Sequence, residues 1–479
     1  MAEIKEYQLF IDGDWVTSTS GETINIINPS TQETVAKVQN GTAEEAIEAL
    51  NAADVAQKEW KKLPARERAD LLYKLADEID SNTEFLAKLL VEEQGKLLKV
   101  ARFEVAVAAS FIRYACEGAR RIEGDIIPSD NPNEQIWIQK VPRGVVVAIT
   151  AWNFPFALAG RKLGPALVAG NTIVIKPTSE TPLSTLELGN LANKVGIPKG
   201  VINILTGPGR AMGNALVESP ICKMVTMTGS TPVGQQIARN AAENLTHVQL
   251  ELGGKAPFIV FEDADIDDAV IGALNSRFDN SGQVCTCNER LYVHENIYDV
   301  FMEKFIEKVK GLKLDDPMDL DTDIGPLTNL AGLERMQRLT EEALNNGGVL
   351  LAGGSQPKGA QFEKGYWFQP TVIGNITQNM NIVHEEIFGP ILPVIKFKDF
   401  NEVVGYANDS EFGLAAMVFT NDMNKIMRLN NELEFGEIYI NRGHGEQHQG
   451  FHNGLKLSGT GGEDGKYGIE QYLDKKTSY

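Results

Sequence analysis

Between residues 43 and 121 apolar side chains recur every three or four positions, as in Glu44–Ala56 and Ala65–Ile79, with almost no Gly or Pro to interrupt them. The spacing predicts a helical layer. From Gly144 the pattern changes to short β-branched runs at Val145–Thr150, Asn171–Pro177, Gly200–Gly207, Lys223–Gly229 and Thr246–Gly253, separated by helix-like stretches such as Ser184–Val195 and Pro232–Asn244. Alternation of this kind predicts a parallel sheet wrapped by helices. A second α/β unit starts near Ala256. There Pro257–Phe261 is an apolar run, Asp263–Asp268 can cap a helix, and Ile382–Glu386 and Gly413–Phe419 read as strands before the pattern ends near Tyr439.

The expected fold class is therefore α/β, with two lobes built on parallel sheets and a cleft between them. Residues 1–122 and 143–250 fall to the first lobe and 251–451 to the second. Residues 123–142 and 452–479 fit neither lobe well, since the former alternate like a strand and the tail looks short and extended. Both are read as a small oligomerisation sheet that pairs with another subunit, the plainer alternative being a hairpin and a frayed terminus.

Of 479 residues, 43% are hydrophobic and 23% charged, which is ordinary globular composition with room for a large core. Lys and Arg number 45 against 65 Asp and Glu, a formal charge of −20 that disfavours nucleic acid and anionic membranes as partners. A dinucleotide remains compatible, because local N–H groups and a lysine outweigh a distant field. The N-terminus lacks the pattern of a secretory signal, and no apolar run is long enough to span a bilayer, so the chain reads as cytoplasmic. The four cysteines, Cys116, Cys222, Cys285 and Cys287, are too few for a disulfide framework.

Cys285 follows the Gly-containing stretch Asn280–Val284, where backbone N–H groups can face a developing oxyanion beside a thiolate. Taken alone it is equally a buried small hydrophobe. Glu251 ends the run Thr246–Gly253 and points to the cleft, where partial desolvation makes a carboxylate a better base; alone it is equally a surface or capping residue.

The ordered set Trp152-Asn153-Phe154-Pro155, Lys176-Pro177, Thr228-Gly229-Ser230, Glu251-Leu252-Gly253-Gly254-Lys255, Gly282-Gln283-Val284-Cys285 and Glu385-Glu386-Ile387-Phe388-Gly389-Pro390 resembles the NAD(P)-dependent aldehyde dehydrogenases over nearly the whole chain. The resemblance implies a Rossmann-like cofactor domain, a catalytic domain and a dimer or tetramer, the tetramer being favoured. It implies that Cys285 attacks the aldehyde, that the Asn153 amide and the Cys285 N–H hold the oxyanion, and that Glu251 activates the water that hydrolyses the thioester.

For the cofactor, NAD or NADP, the same resemblance implies Trp152, Lys176, Thr228, Gly229, Ser230, Glu386 and Phe388. Read from residue types alone, Lys176 and Glu386 are ordinary surface charges. Gly209 and Gly213 sit in a G-x-G-x-x-x-G turn that departs from the dinucleotide fingerprint, and a plain strand-to-helix turn explains it equally. NAD-preferring relatives carry Glu three positions after the lysine, where this chain has Ser179; the hydroxyl favours NADP, while the adjacent Glu180 could restore NAD preference.

Arg161, expected on the same helix as Asn153 and two turns on, suits a polar or anionic substrate, with a structural salt bridge as the alternative. Tyr439-Ile440-Asn441-Arg442 followed by Gln449-Gly450-Phe451-His452 resembles the lactaldehyde and glycolaldehyde group, with His452 toward substrate, although Gly443–His448 departs from that pattern. Succinate semialdehyde enzymes place an arginine where this chain has Asp279, so that substrate is the second reading. Transfer to coenzyme A and a catalytically silent dinucleotide-binding protein are the further rivals. His444, His448 and His452 are spaced by four, but Gly443, Gly445 and Gly450 oppose a helix there. A hydrogen-bonding substrate loop is preferred over a metal site or solvated surface. Cys287, two residues past Cys285, is read as a redox-regulatory partner of the nucleophile.

Overall fold

The structure, a computed structural model, describes residues 4–479. The helices Ala43–Trp60, Ala65–Ser81, Thr83–Gln94 and Leu98–Glu117 form where expected, but the first covers the opposite face of the adjoining sheet from the other three, so the single layer expected is two. The first helix opens on a reciprocal cap. The Thr42 hydroxyl accepts from Glu45 N at 3.3 Å and the Glu45 carboxylate accepts from Thr42 N at 2.9 Å. Pro64 separates the first two helices, and Gly95, with a left-handed backbone, ends the third.

The first sheet runs across Gly459–Thr460, His247–Glu251, Cys222–Thr228, Val145–Ile149, Thr172–Lys176, Ile202–Ile204, Leu9–Ile11 and Asp14–Val16. Its five inner strands are parallel and its edges antiparallel. Period-two alternation feeds two cores from one strand: Val146 and Ala148 pack with Leu72, Leu75 and Ile112 of the helical layer, whereas Val145 and Val147 pack with Ala46, Ala49 and Leu50 on the other side. Continuous apolar runs in the sequence reflect this burial on both faces.

The second sheet runs Val349–Ala352, Thr371–Gly374, Ile391–Phe397, Asn288–His294, Ala256–Val260, Ala415–Phe419 and Glu437–Ile440, parallel except at its first pair. The stretch Ile382–Glu386, expected as a strand, instead holds a helical turn at Asn381–His384. Its apolar pair Ile382 and Val383 is too short to span a sheet and is buried as a plug beneath the following loop.

A third sheet pairs Gln135–Pro142 with Asp125–Pro128 on one side and Leu473–Ser478 on the other. It carries the exposed apolar residues Ile126, Ile127 and Trp137. Of residues 452–479 only this last strand joins it. Gly465–Gln471 is a helix rather than extended chain, Gly459–Thr460 closes the first sheet beside Glu251, and Leu455–Lys456 pairs with Phe412–Gly413. The C-terminal segment thus ties both lobes together at the cleft. Among the described residues no helix is long and apolar enough to cross a membrane.

Candidate functional site

Glu251 stands at the carboxyl end of the outermost parallel strand of the first sheet, and Cys285 lies on the loop that enters the middle strand of the second. The carboxyl end of a strand is where open α/β sheets place ligands, which suits Glu251. A Cβ on Gly254 would collide with the Cys285 carbonyl, so the absence of a side chain there lets the two loops touch.

The cysteine loop is held in an unusual shape. Asn280, Ser281 and Gly282 all have positive φ, of 45°, 58° and 75°, and such conformations cost on the order of 1 to 3 kcal/mol each for residues with side chains. Surrounding bonds enforce them. Ser281 Oγ donates to the Gly325 carbonyl at 2.9 Å, Asn280 Nδ2 to the Asn153 carbonyl at 3.2 Å, and Gln283 Oε1 accepts from Thr328 N at 3.0 Å. Of the four thiols only Cys285 is part-exposed; the other three are buried.

Asn153 precedes the helix Pro155–Val168 rather than sharing it with Arg161, because Pro155 occupies the first helical turn. One N–H of its amide donates to the Gln283 carbonyl at 3.1 Å, which turns the group toward the cysteine loop and leaves a second N–H for a ligand. Both Glu251 oxygens are buried without a hydrogen-bond partner, and burial pushes the carboxyl up to about 8. Thiol, amide and unpartnered carboxylate therefore converge on one cleft.

His452 sits between them. Its Nε2 lies 3.5 Å from Glu251 Oε2 and its Nδ1 3.1 Å from Glu437 Oε2. Arg161 does not present a free guanidinium: Asp464 and Glu463 hold one side and Glu446 the other at 3.2 Å. Its placement matches the salt-bridge alternative, since three carboxylates already satisfy its charge. His444 contacts Ser276 at 3.1 Å and Asp279 at 3.5 Å, and His448 stacks edge-on against Phe111. The three histidines go to separate partners, and no group of three or more metal-ligating side chains occurs among the described residues.

Toward the other mouth of the cleft, Lys176 ends its strand in a buried setting that lowers its ammonium to about 8. Ser230 starts the helix Thr231–Ala242 without its hydroxyl capping it, and the Thr228 hydroxyl is buried without a partner. Gly229 bridges these two residues, while Gly209 and Gly213 lie on the helix Gly209–Glu218, with open space above each. Glu386 accepts from Gly254 N at 2.8 Å and burial pushes it up to about 7. Phe388, at φ 49°, packs edge-on against Trp152 at 5.3 Å.

The family model for the aldehyde dehydrogenase family matches residues 15–478. The 3,6-anhydro-alpha-L-galactose dehydrogenase of Vibrio sp. (strain EJY3) is 63% identical over 99% of both chains. The lactaldehyde dehydrogenase of Escherichia coli (strain K12) is 43% identical over 99% of this chain and 98% of its own. A solved structure of 3,6-anhydro-L-galactose dehydrogenase in complex with NAP superposes with a TM-score of 0.98 at 61% identity, covering 99% of this chain and all of the other. The chain belongs to the aldehyde dehydrogenase family.

This aldehyde dehydrogenase is an NAD(P)-dependent enzyme, which removes the catalytically silent reading. Its residues fit the dinucleotide. The orphaned Thr228 hydroxyl, the uncapped helix start at Ser230 and the buried Lys176 leave donors unspent where phosphates and ribose hydroxyls need them. The expected kinship with lactaldehyde enzymes is the more remote of the two, at 43% against 63%.

Several residues escaped sequence reasoning. Lys96 and Glu104 form a fully buried pair beneath Asn153, and Glu437 and Glu446 line the cysteine side of the cleft beside Tyr439. Glu104 was visible in principle, as a charge on the apolar stripe that runs through Ala101, Val105 and Ala108. Glu437 carried no comparable signal, because a carboxylate at a sheet edge is common.

Proposed function

We propose that this enzyme oxidises a small hydroxyl-rich aldehyde, with 3,6-anhydro-L-galactose as the first candidate and lactaldehyde or glycolaldehyde as the second. The observation that carries this reading is the polar wall beside Cys285. His452, Glu437 and Glu446 offer hydrogen bonds, and the Arg161 charge is already taken up by three carboxylates. Such a wall favours hydroxyls. A dicarboxylate-like substrate would meet Asp279 and Glu446, so succinate semialdehyde is disfavoured. The degree of identity to the 3,6-anhydro-alpha-L-galactose enzyme supports the same order of candidates.

In this mechanism the Cys285 thiolate attacks the aldehyde carbon, and the Asn153 amide and Cys285 N–H bind the oxyanion. A bound nicotinamide would supply the hydride acceptor. Trp152, Lys176, Ser179, Thr228, Gly229, Ser230, Glu386 and Phe388, with Gly209 and Gly213 at the outer turn, would hold the dinucleotide. Glu251, whose oxygens accept no hydrogen bond from the protein, takes a proton from the water that hydrolyses the thioester, and this competes against transfer to coenzyme A. The third sheet, with its free edges and exposed Trp137, Ile126 and Ile127, would pair subunits into a homo-oligomer.

Reduced-cofactor absorbance with 3,6-anhydro-L-galactose, lactaldehyde, glycolaldehyde and succinate semialdehyde, each with NAD and with NADP, tests the proposal. The highest kcat/KM for succinate semialdehyde would overturn it.

A further inference from the structure

The strand Glu437–Ile440 ends the second sheet, and its period-two alternation places Glu437 and Tyr439 on one face, toward Cys285. Tyr439 donates its hydroxyl to Glu437 Oε2 at 2.9 Å, and His452 Nδ1 meets that same oxygen at 3.1 Å. On the far side of the imidazole Nε2 is 3.5 Å from Glu251 Oε2, and the Cys285 thiol lies within reach of the ring's charge. The backbone of His452 is pinned as well. His452 N donates to the Glu463 carbonyl at 2.9 Å and Glu463 N to the His452 carbonyl at 2.7 Å. Ring and backbone are thus fixed from opposite sides, and imidazole, both carboxylates and the tyrosine are buried or nearly so.

We infer that Glu437 and His452 form a thiol-activating dyad: Glu437, oriented by Tyr439, holds His452 as an imidazolium whose positive charge stabilises the Cys285 thiolate. His452 is the catalytic residue of the pair and Glu437 a positioning residue. The S–H bond of Cys285 breaks heterolytically, the electron pair stays on sulfur and the proton leaves to solvent; no redox partner is required. Burial pushes the Cys285 thiol up, and the His452 contact is the first influence that pulls it back. Burial and Arg161 oppose charge on His452, but Glu437, Glu251 and the thiol outweigh them and raise it well above the usual imidazole range. Glu446 on the adjoining loop and Glu463 and Asp464 on the bridged segment complete the charged groups that face the ring. The division of labour follows. Glu251 is left free for water, while the thiolate is set by the dyad.

The inference rests on Cys285 as the nucleophile, and its test needs no aldehyde. Iodoacetamide alkylation of the full-length enzyme, with Cys285→Ser identifying the reacting thiol by mass spectrometry, gives the pH midpoint of thiolate formation. Glu437→Gln and His452→Gln should each move that midpoint up by about one pH unit or more, roughly a tenfold slower alkylation below it. Glu437→Asp should restore part of the shift, which a loss of packing alone would not. Glu251→Gln should move it less than His452→Gln. An unchanged midpoint in Glu437→Gln, in protein with wild-type thermal unfolding, would overturn the dyad. If His452→Gln does not fold, Glu437→Gln and Tyr439→Phe decide the matter. Failure of the functional reading looks different: no reduced cofactor from any aldehyde.

Discussion

Lys96 donates to the backbone carbonyl of Asn153 at 2.7 Å, from a position where neither its own side chain nor its partner Glu104 reaches solvent. Glu104 in turn accepts from Phe156 N at 2.9 Å and Ala157 N at 3.2 Å, so the pair grips the chain on both sides of the catalytic amide. Removing one partner of a buried pair strands the other, and a misplacement of about 1 Å near reacting atoms costs up to a hundredfold in rate. Glu104→Gln should therefore lower kcat at least about tenfold with a smaller change in KM, as measured by steady-state kinetics. A kcat within twofold of wild type would show that Asn153 is held without the pair.

Turnover should depend on pH through Glu251. Burial raises its pKa to about 8, so the carboxylate that accepts a proton from water is present above that value and lost as pH falls through it. Single-turnover decay of the thioester should rise with pH and level off above about 8, and Glu251→Gln should remove that step. A decay rate that falls across the same range would contradict the assignment of Glu251 as base.

Cofactor choice should follow Ser179. Its hydroxyl donates to the Gly207 carbonyl at 3.1 Å, while the neighbouring Glu180 is turned outward, accepting from Asn329 Nδ2 at 3.0 and 3.1 Å. Glu180 is thereby drawn away from the role of repelling a 2′-phosphate. Use of NADP is expected, and Ser179→Glu should lower kcat/KM for NADP by roughly tenfold or more through charge repulsion. Equal rejection of NADP by wild type and variant would refute the serine argument.

Beneath the loop that carries Glu386, Glu289 accepts from Lys255 at 3.0 Å, Arg277 at 2.8 Å, Ile387 N at 2.6 Å and Phe388 N at 3.1 Å. Burial opposes its charge, but Lys255 and Arg277 prevail and lower it from 4.5 to about 2. A carboxylate depressed on folding contributes fully above its ordinary value and loses that contribution as pH falls toward about 2. Glu289→Gln should destabilise by about 3 to 5 kcal/mol, because two buried cations lose their partner. Urea unfolding at neutral pH checks this, and a loss under about 1 kcal/mol would mean that the cluster relaxes.

Cys287 is buried and its thiol donates to the Gly282 carbonyl, 3.6 Å away, while burial pushes it up to about 12. That setting favours an inert thiol over a resolving one. Peroxide should inactivate through Cys285, and dithiothreitol should restore wild type and Cys287→Ser to the same extent. A recovery that depends on Cys287 would show instead that the loop opens and closes a reversible pair.

The sequence by itself determined the α/β class with its parallel sheets and the motif set around Asn153, Glu251 and Cys285, because each is local. Apolar spacing sets which face is buried, Thr42 and Glu45 cap within one turn, and Gly254 and Gly282 are needed where backbones touch or reverse. Only the tertiary structure decided which charges meet. Arg161 joins Asp464 across 303 residues, and Lys96 meets Asn153 across 57. The C-terminal segment, read from sequence as part of an oligomerisation sheet, returns to place His452 between Glu251 and Glu437. Electrostatics of this kind depends on distance and burial in three dimensions, neither of which the spacing of residues along a chain encodes.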